Sequence, residues 1–199
     1  LENSGWLKPE ARPVGQDSDG DGIREKGDKK LEIQFVAPQR KELITIGERL
    51  KNDWESIGIK IDMANIPVIE LQQNYIQPRT YQMLLFGEVL NVEPDPFSFW
   101  HSSQKKDPGL NLALYDNQGA DKLLEEARQS LDKSVRRDRY NDFQNLVIED
   151  LPSIFLYSPL YLYPQAKKIK GFEDKLLGLP SERFVNVNKW YIKTKRIRK

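Results

Sequence analysis

Apolar and polar residues alternate through KKLEIQFVAP, residues 29–38, where Leu31, Ile33 and Phe35 share one face and Pro38 stops the run. A period of two marks a strand. From Arg40 to Ile57 the period lengthens. Leu43, Gly47, Leu50, Trp54 and Ile57 follow at spacings of four, three, four and three, and Gly58 closes the run. That is one face of an amphipathic helix. IKIDMANIP gives a second strand, VIELQQNYIQ a short helix before Pro78, and YQMLLFGEVL a third strand. Its core, Met83–Phe86, is continuously apolar, which predicts a central strand covered on both faces. Two helices follow, ADKLLEEARQSLD and SVRRDRYNDFQNLVIEDL, the second with Ser134 as its cap. SIFLYSPLYLYP, interrupted by Pro159, reads as buried aromatic strands over 154–163. Strand–helix–strand–helix–strand predicts an α/β layered domain with a largely parallel sheet.

Composition narrows the class. The 199 residues can bury one good core or two small ones, and 38% hydrophobic with 31% charged residues describes an ordinary globular chain. The net charge of +1 gives no basic field for nucleic acid, and the basic end KTKRIRK reads as a solvated terminus. No apolar run is long enough to cross a bilayer. With no cysteine, disulfides and thiolate chemistry are excluded. The sequence opens with neither a signal-peptide pattern nor Met, which reads as a piece of a longer chain. The opening LENSGW reads as the last turn of a helix cut from a longer chain, with Gly5 as a left-handed cap and Trp6 packing behind it.

Catalytic sets are scarce. His101 is the only histidine. Ser102, His101 and Asp95 could compose a nucleophilic set on paper, but they are crowded into one loop, whereas such sets are positioned by separate elements. Glu125, Glu126, Glu149 and Asp150 lie on helices rich in Lys and Arg and read as solvated faces.

Two stretches carry candidate chemistry. In FGEVLNVEPDPFSFWHSSQ, residues 86–104, a buried strand ends at Gly87, and a loop with Pro94 and Pro96 carries Glu93, Asp95, Phe97, Phe99, Trp100 and His101. Carboxylates and aromatics beyond a strand's carboxyl end suit a ligand site in an open α/β sheet. The competing reading makes Phe97, Phe99 and Trp100 plugs of the core. In DSDGDGIREKGD, residues 17–28, the register of a calcium loop can be laid on Asp17, Asp19, Asp21, the Ile23 carbonyl, Glu25 and Asp28, with Gly22 at the sixth position. Against it, Asp28 replaces the usual bidentate Glu, Arg24 stands where an apolar residue is usual, and the loop exits into a strand. The competing reading is an acidic glycine turn.

In order along the chain, SGW with DSDGDGIREKGDKKLEIQF, then ERLKNDWESIGIKIDM, EPDPFSFWHSSQ, and YDNQGADKLLEEARQSLDKSVRRDRYNDFQNLVIEDLPSIFLYSPLYLY resemble the C-terminal part of the family 5 extracellular solute-binding proteins. These are the dipeptide- and oligopeptide-binding subunits of ABC importers. The resemblance implies the second lobe of a two-lobed, type II-like periplasmic-binding-protein fold. Residues 1–166 would form the ligand-binding lobe, with IFLYSPLYLY at the hinge, and 167–199 a tail that returns to the first lobe.

The implied ligand residues are Gly87, Glu88, Glu93, Asp95, Phe99, Trp100 and His101. Asp95 is expected to pair a peptide's α-ammonium, and Trp100 to lie on the ligand-facing surface. Two positions depart from the family pattern: Glu88 stands where Trp is frequent, and Val92 where Asp is frequent. The implied partners are a peptide or other small solute and an ABC permease. The implied location is the periplasm or outer face of the membrane, held only through an N-terminal lipid anchor outside this sequence. In the family the acidic stretch is a turn leading into a strand; a bound Ca²⁺ would be held by Asp17, Asp19, Asp21, Ile23 and Asp28. A hydrolase and an interaction module are the alternatives.

Overall fold

The computed structural model describes residues 1–8, 21–90, 95–173 and 179–193. They divide into two compact units, Leu1–Gly87 with Lys106–Pro108, and Glu88–Lys105 with Gly109–Lys199.

The first unit is a small parallel sheet with helical cover. Gly5, at φ 82, caps a 3-10 turn over Glu2–Ser4 as expected. A hairpin, β1 (Glu25–Lys26) and β2 (Lys29–Lys30), turns through Gly27 and Asp28. β3 (Glu32–Pro38) pairs in parallel with β4 (Lys60–Ile66) over seven positions, and α1 (Lys41–Glu55) connects them. The helix follows the periodicity: Leu43, Leu50 and Trp54 pack against buried Phe35 and Ile61, and Trp54 meets Phe35 edge-on at 5.6 Å. Gly47 is the buried small position of that face, and a Cβ there would meet the Met63 side chain. Val36, on the opposite face of β3, is also buried, and α2 (Val68–Leu71), continued by a π turn over Gln72–Ile76, contacts that strand.

The expected third strand is shorter and differently placed. β5 is only Met83–Leu84, and the sheet order among the described residues is β4-β3-β5. The central strand is therefore β3. Leu85 still donates its N–H to the Val36 carbonyl at 2.9 Å, but residues 86–90 are exposed. A continuous apolar run signals burial on two faces; it does not say how many neighbours the strand has.

The second unit is built on two helices after the short α3 (Phe97–Trp100): α4 (Gln118–Gln129) and α5 (Lys133–Asp150). Asn117 caps α4 by accepting from the N–H groups of Gly119 and Ala120. The cap of α5 is Asp132 rather than Ser134: its carboxylate accepts the Ser134 N–H at 2.7 Å. Aspartate caps as well as serine does, and the helix begins two residues earlier than a Ser134 cap would place it. Ala120, Leu124, Phe143 and Val147 form a core with Trp100 and Tyr115.

Residues 154–163 are not buried strands. They belong to no strand, and Leu160 and Leu162 are 88% and 82% exposed. Apolar alternation makes a strand only where a neighbour supplies the ladder, and none is present among the described residues. Further on, β6 (Ile169–Lys170) pairs antiparallel with β7 (Tyr191–Ile192). Tyr163 leans on Phe172, and Phe172 on Trp190. The Arg183 guanidinium lies 4.2 Å from the Phe184 ring and 5.1 Å from that of Tyr163. Part of the apolar surface of the tail is thus engaged by the tail itself and the segment before it.

Candidate functional site

Gly87 closes the first unit and Glu88 opens the second. Glu93 lies outside the described residues. Past it, the chain folds into an interlocked turn, α3 followed by a 3-10 turn over Ser102–Gln104.

Asp95 starts that turn. One carboxylate oxygen accepts the Phe97 N–H at 3.3 Å, the local bond of an Asx turn. The carboxylate also takes a two-pronged bond from Arg128 on α4, Nε at 2.9 Å and an Nη at 2.7 Å. Burial alone would raise the Asp95 carboxyl, but Arg128, the Phe97 N–H and the Arg136 charge outweigh it and hold it below the usual value. The expected ammonium partner is therefore already paired within the protein.

Arg128 also lies over the Phe97 ring at 3.9 Å, and His101 stacks on that ring at 4.1 Å. The His101 Nδ1 accepts the Ser103 N–H at 3.1 Å and sits 2.8 Å from its hydroxyl. The proton is thereby placed on Nε2, which faces Glu125 at 3.3 Å. His101 is buried, with both ring nitrogens engaged.

These contacts also dispose of the paper nucleophile set. Ser102 donates its hydroxyl to Asp121 at 2.5 Å, Asp95 is held by Arg128, and the His101 Nδ1 caps a turn. The residues are neighbours in sequence and partners of other groups in space.

Trp100 corrects a second expectation. It is 7% exposed and packs in the core, edge-on to Tyr115 and Phe143 at 6.3 Å each. It is not a surface residue, because α3 turns it inward onto α4 and α5. Phe97 and Phe99 are half-buried against the same core. Of the expected ligand residues that the structure describes, Gly87 and Glu88 are exposed, and of these two only Glu88 carries an ionisable side chain. Its carboxyl is pushed up to about 7 by the surrounding protein, with no cation beside it among the described residues. Its exposed position argues for a displacement smaller than full burial would cause.

Sequence reasoning missed the residues that hold the turn. Asn111 is fully buried and donates to the carbonyls of Trp100, His101 and Tyr115 at 3.2, 3.1 and 2.9 Å. Its own carbonyl accepts the Tyr115 N–H at 3.0 Å. The Tyr115 hydroxyl donates to Asp150 at 2.6 Å; burial first, and then Asp150, raise the phenol well above its usual value. Asp150, expected on a solvated face, ties the end of α5 to this turn. No pattern in GLNLALYDNQG marks Asn111, because its partners are backbone groups.

In the acidic stretch, Asp17 and Asp19 lie outside the described residues. Asp21 accepts the Ile23 N–H at 2.8 Å and pairs with Lys30 at 2.5 Å, and Asp28 occupies the hairpin turn. Among the described residues no three acidic or histidine side chains gather as a metal site.

No family model matches the chain. It is 27% identical over 198 residues to the oligopeptide-binding protein AppA of Bacillus subtilis, covering 96% of this chain and 33% of that protein. It is 26% identical over 147 residues to the nickel-binding protein NikA of Staphylococcus aureus, covering 72% of this chain and 29% of that protein. Its fold superposes on the structure of AppA in complex with a nonapeptide with a TM-score of 0.71, at 26% identity over 98% of this chain and 36% of that one. It superposes on NikZ of Campylobacter jejuni in complex with Ni(L-His) with a TM-score of 0.67, at 23% identity over 95% of this chain and 37% of that one. The chain thus spans about a third of the length of the curated relatives it matches. These relatives are named as binding proteins and not as enzymes, and the fold is that of part of a type II periplasmic binding protein.

Proposed function

We propose, for a chain that makes up part of a family 5 extracellular solute-binding protein, that it forms one wall of an extracytoplasmic site for short peptides. The complete receptor would deliver its ligand to an ABC transporter permease and would catalyse no reaction. The observation that carries this reading is similarity along nearly the whole chain, in sequence and in fold, to an oligopeptide-binding protein. No described helix is long and apolar enough to cross a membrane. A nickel-chelate ligand finds less support, because the single histidine has both ring nitrogens engaged.

Within the site, the role expected of Asp95 passes to Glu88. Asp95 is spoken for by Arg128, whereas Glu88 is exposed and has no cation beside it among the described residues. A ligand ammonium would supply that missing charge and draw the Glu88 carboxyl down. Calorimetric titration of the chain with alanine tripeptides, free or acetylated at the amino end, tests the assignment. The free tripeptide should bind more tightly by about tenfold, the scale of one charge-assisted hydrogen bond, and Glu88→Gln should erase the difference. If Asp95→Ala erases it and Glu88→Gln does not, the role belongs to Asp95.

A further inference from the structure

The 3-10 turn over Ser102–Gln104 has an unusual cap. Its N-cap residue is His101, whose Nδ1 accepts the Ser103 N–H at 3.1 Å. Serine, threonine and asparagine, common caps, offer an oxygen whatever the pH. A histidine caps only while that ring nitrogen carries no proton. The Ser103 hydroxyl lies 2.8 Å from the same nitrogen and accepts from the Gln104 side-chain amide at 3.0 Å, so its own proton is free to point at Nδ1. Two donors of Ser103 thus converge on one nitrogen of a buried ring.

The charges that face this ring come from α4. Asp121, Glu125 and Arg128 recur at intervals of four and three, along one face of that helix. Asp121 accepts the Ser102 N–H at 2.8 Å and the Ser102 hydroxyl, and its carboxylate stands 3.9 Å from the His101 Nδ1. Glu125 stands 3.3 Å from Nε2. Arg128 lies over the Phe97 ring on which His101 stacks, and it holds Asp95 at the head of the segment. Residues 95–103 are therefore tied to α4 through Asp95, His101 and Ser102. A proton on Nδ1 changes the middle tie. The nitrogen becomes a donor and faces the Ser103 N–H donor against donor, so that bond is lost. The new N–H is taken by the Ser103 oxygen or by Asp121. The two carboxylates give a positive ring partners inside the fold, so the proton rearranges the turn without expelling the ring.

We propose that His101 is a proton-sensitive cap: neutral, it accepts from Ser103 and fixes the turn that ties residues 95–104 to α4; protonated, it releases the Ser103 N–H and loosens that turn while the ring stays among the α4 carboxylates. The candidate segment is thus anchored firmly when the ring is neutral and less firmly in acid. The device does not depend on which ligand the segment serves.

His101 is the sole histidine, so ring signals in an NMR titration of the chain belong to it alone. Long-range proton–nitrogen correlation follows its two ring nitrogens, and the Ser103 amide is followed by its shift and its hydrogen exchange. The titration runs from about pH 8 down to the onset of acid unfolding seen by circular dichroism. At the upper end Nδ1 should give the signal of an unprotonated ring nitrogen and Nε2 that of a protonated one. As the ring takes up its proton, the Ser103 amide should shift with the same midpoint. Its protection, corrected for the intrinsic rate at each pH, should fall by about two- to tenfold, the range for one neutral hydrogen bond. His101→Asn supplies the contrast, because an amide oxygen caps at any pH, and its Ser103 amide should keep its protection throughout. The opposite tautomer at the upper end overturns the proposal. So does a ring that takes up no proton before the chain unfolds, or a Ser103 amide that ignores a proton the ring does take up. A folded Asn variant whose Ser103 amide loses protection over the same range as the parent overturns it too, because another group, Asp121 first, is then responsible. If the Asn variant does not fold, the ring and amide signals of the parent still decide.

Discussion

Replacing Asn111 by leucine removes the side chain that ties the candidate segment to the helices while nearly conserving volume. The structure allows the cost to be worked out. The His101 carbonyl keeps the Gln104 N–H at 2.9 Å. The Trp100 carbonyl, the Tyr115 carbonyl and the Tyr115 N–H lose the partner that Asn111 provides. Each buried group left unsatisfied costs about 1–3 kcal/mol. Leucine returns about 2 kcal/mol through its larger apolar surface. The net expectation is a loss of about 3 kcal/mol, which in a chain of this length lowers the midpoint of thermal unfolding by about 6–12 °C. Asn111→Asp should be worse, because it turns a carboxylate toward three carbonyls and has no N–H to offer. Urea unfolding followed by tryptophan fluorescence measures both, and amide exchange at 100–103 and 115 should rise. A leucine variant within about 0.5 kcal/mol of the parent, the range of an ordinary surface substitution, would refute the claim that Asn111 organises this turn.

Arg128→Met should return the Asp95 carboxyl toward its usual value. Because the folded value is depressed, the pair stabilises the fold above the unfolded value, near 3.8, and loses that contribution as pH falls through the folded one. The parent and the variant should therefore differ most above that window and converge below it in acid unfolding; parallel curves would show that the pair is not coupled to folding. Gly58→Ala should cost about 1–2 kcal/mol, since Gly58 sits at φ 85 and a Cβ would lie 2.9 Å from the Arg24 side chain; an unchanged urea midpoint would contradict the described turn. Calcium calorimetry separates the two readings of residues 17–28. Lys30 on Asp21 favours the turn, for which the parent and Asp19→Ala give the same trace, whereas a metal loop gives heat that the substitution abolishes.

Periodicity located α1, β3, β4, α4 and α5, because each has one apolar face and a covering element supplied by its neighbours in sequence. It placed β5 at the centre and made strands of 154–163, because apolar runs report a tendency to be covered and not the identity of the cover. The candidate segment was legible as acids and aromatics beyond a strand end. Its internal pairing was not. Arg128 lies 33 residues from Asp95 and Glu125 lies 24 from His101, and nothing local in either stretch marks these pairs. Trp100, His101 and Asp95 thus are of the residue types that ligand sites use, but here Asp95 holds Arg128, His101 faces Glu125, and Trp100 packs on Tyr115 and Phe143. Glu88 was legible only as a departure from a pattern.

Hydrogen–deuterium exchange of the chain with and without a millimolar mixture of random hexapeptides tests the central claim most directly. Contacts from the other two thirds of the relatives' length are not in this chain, so weak binding is expected, and a millimolar ligand compensates for it. The account predicts slowed exchange centred on residues 87–101, with the β1–β2 hairpin and β6–β7 unchanged. Protection confined to those strand pairs, or no change anywhere along the chain, would contradict it.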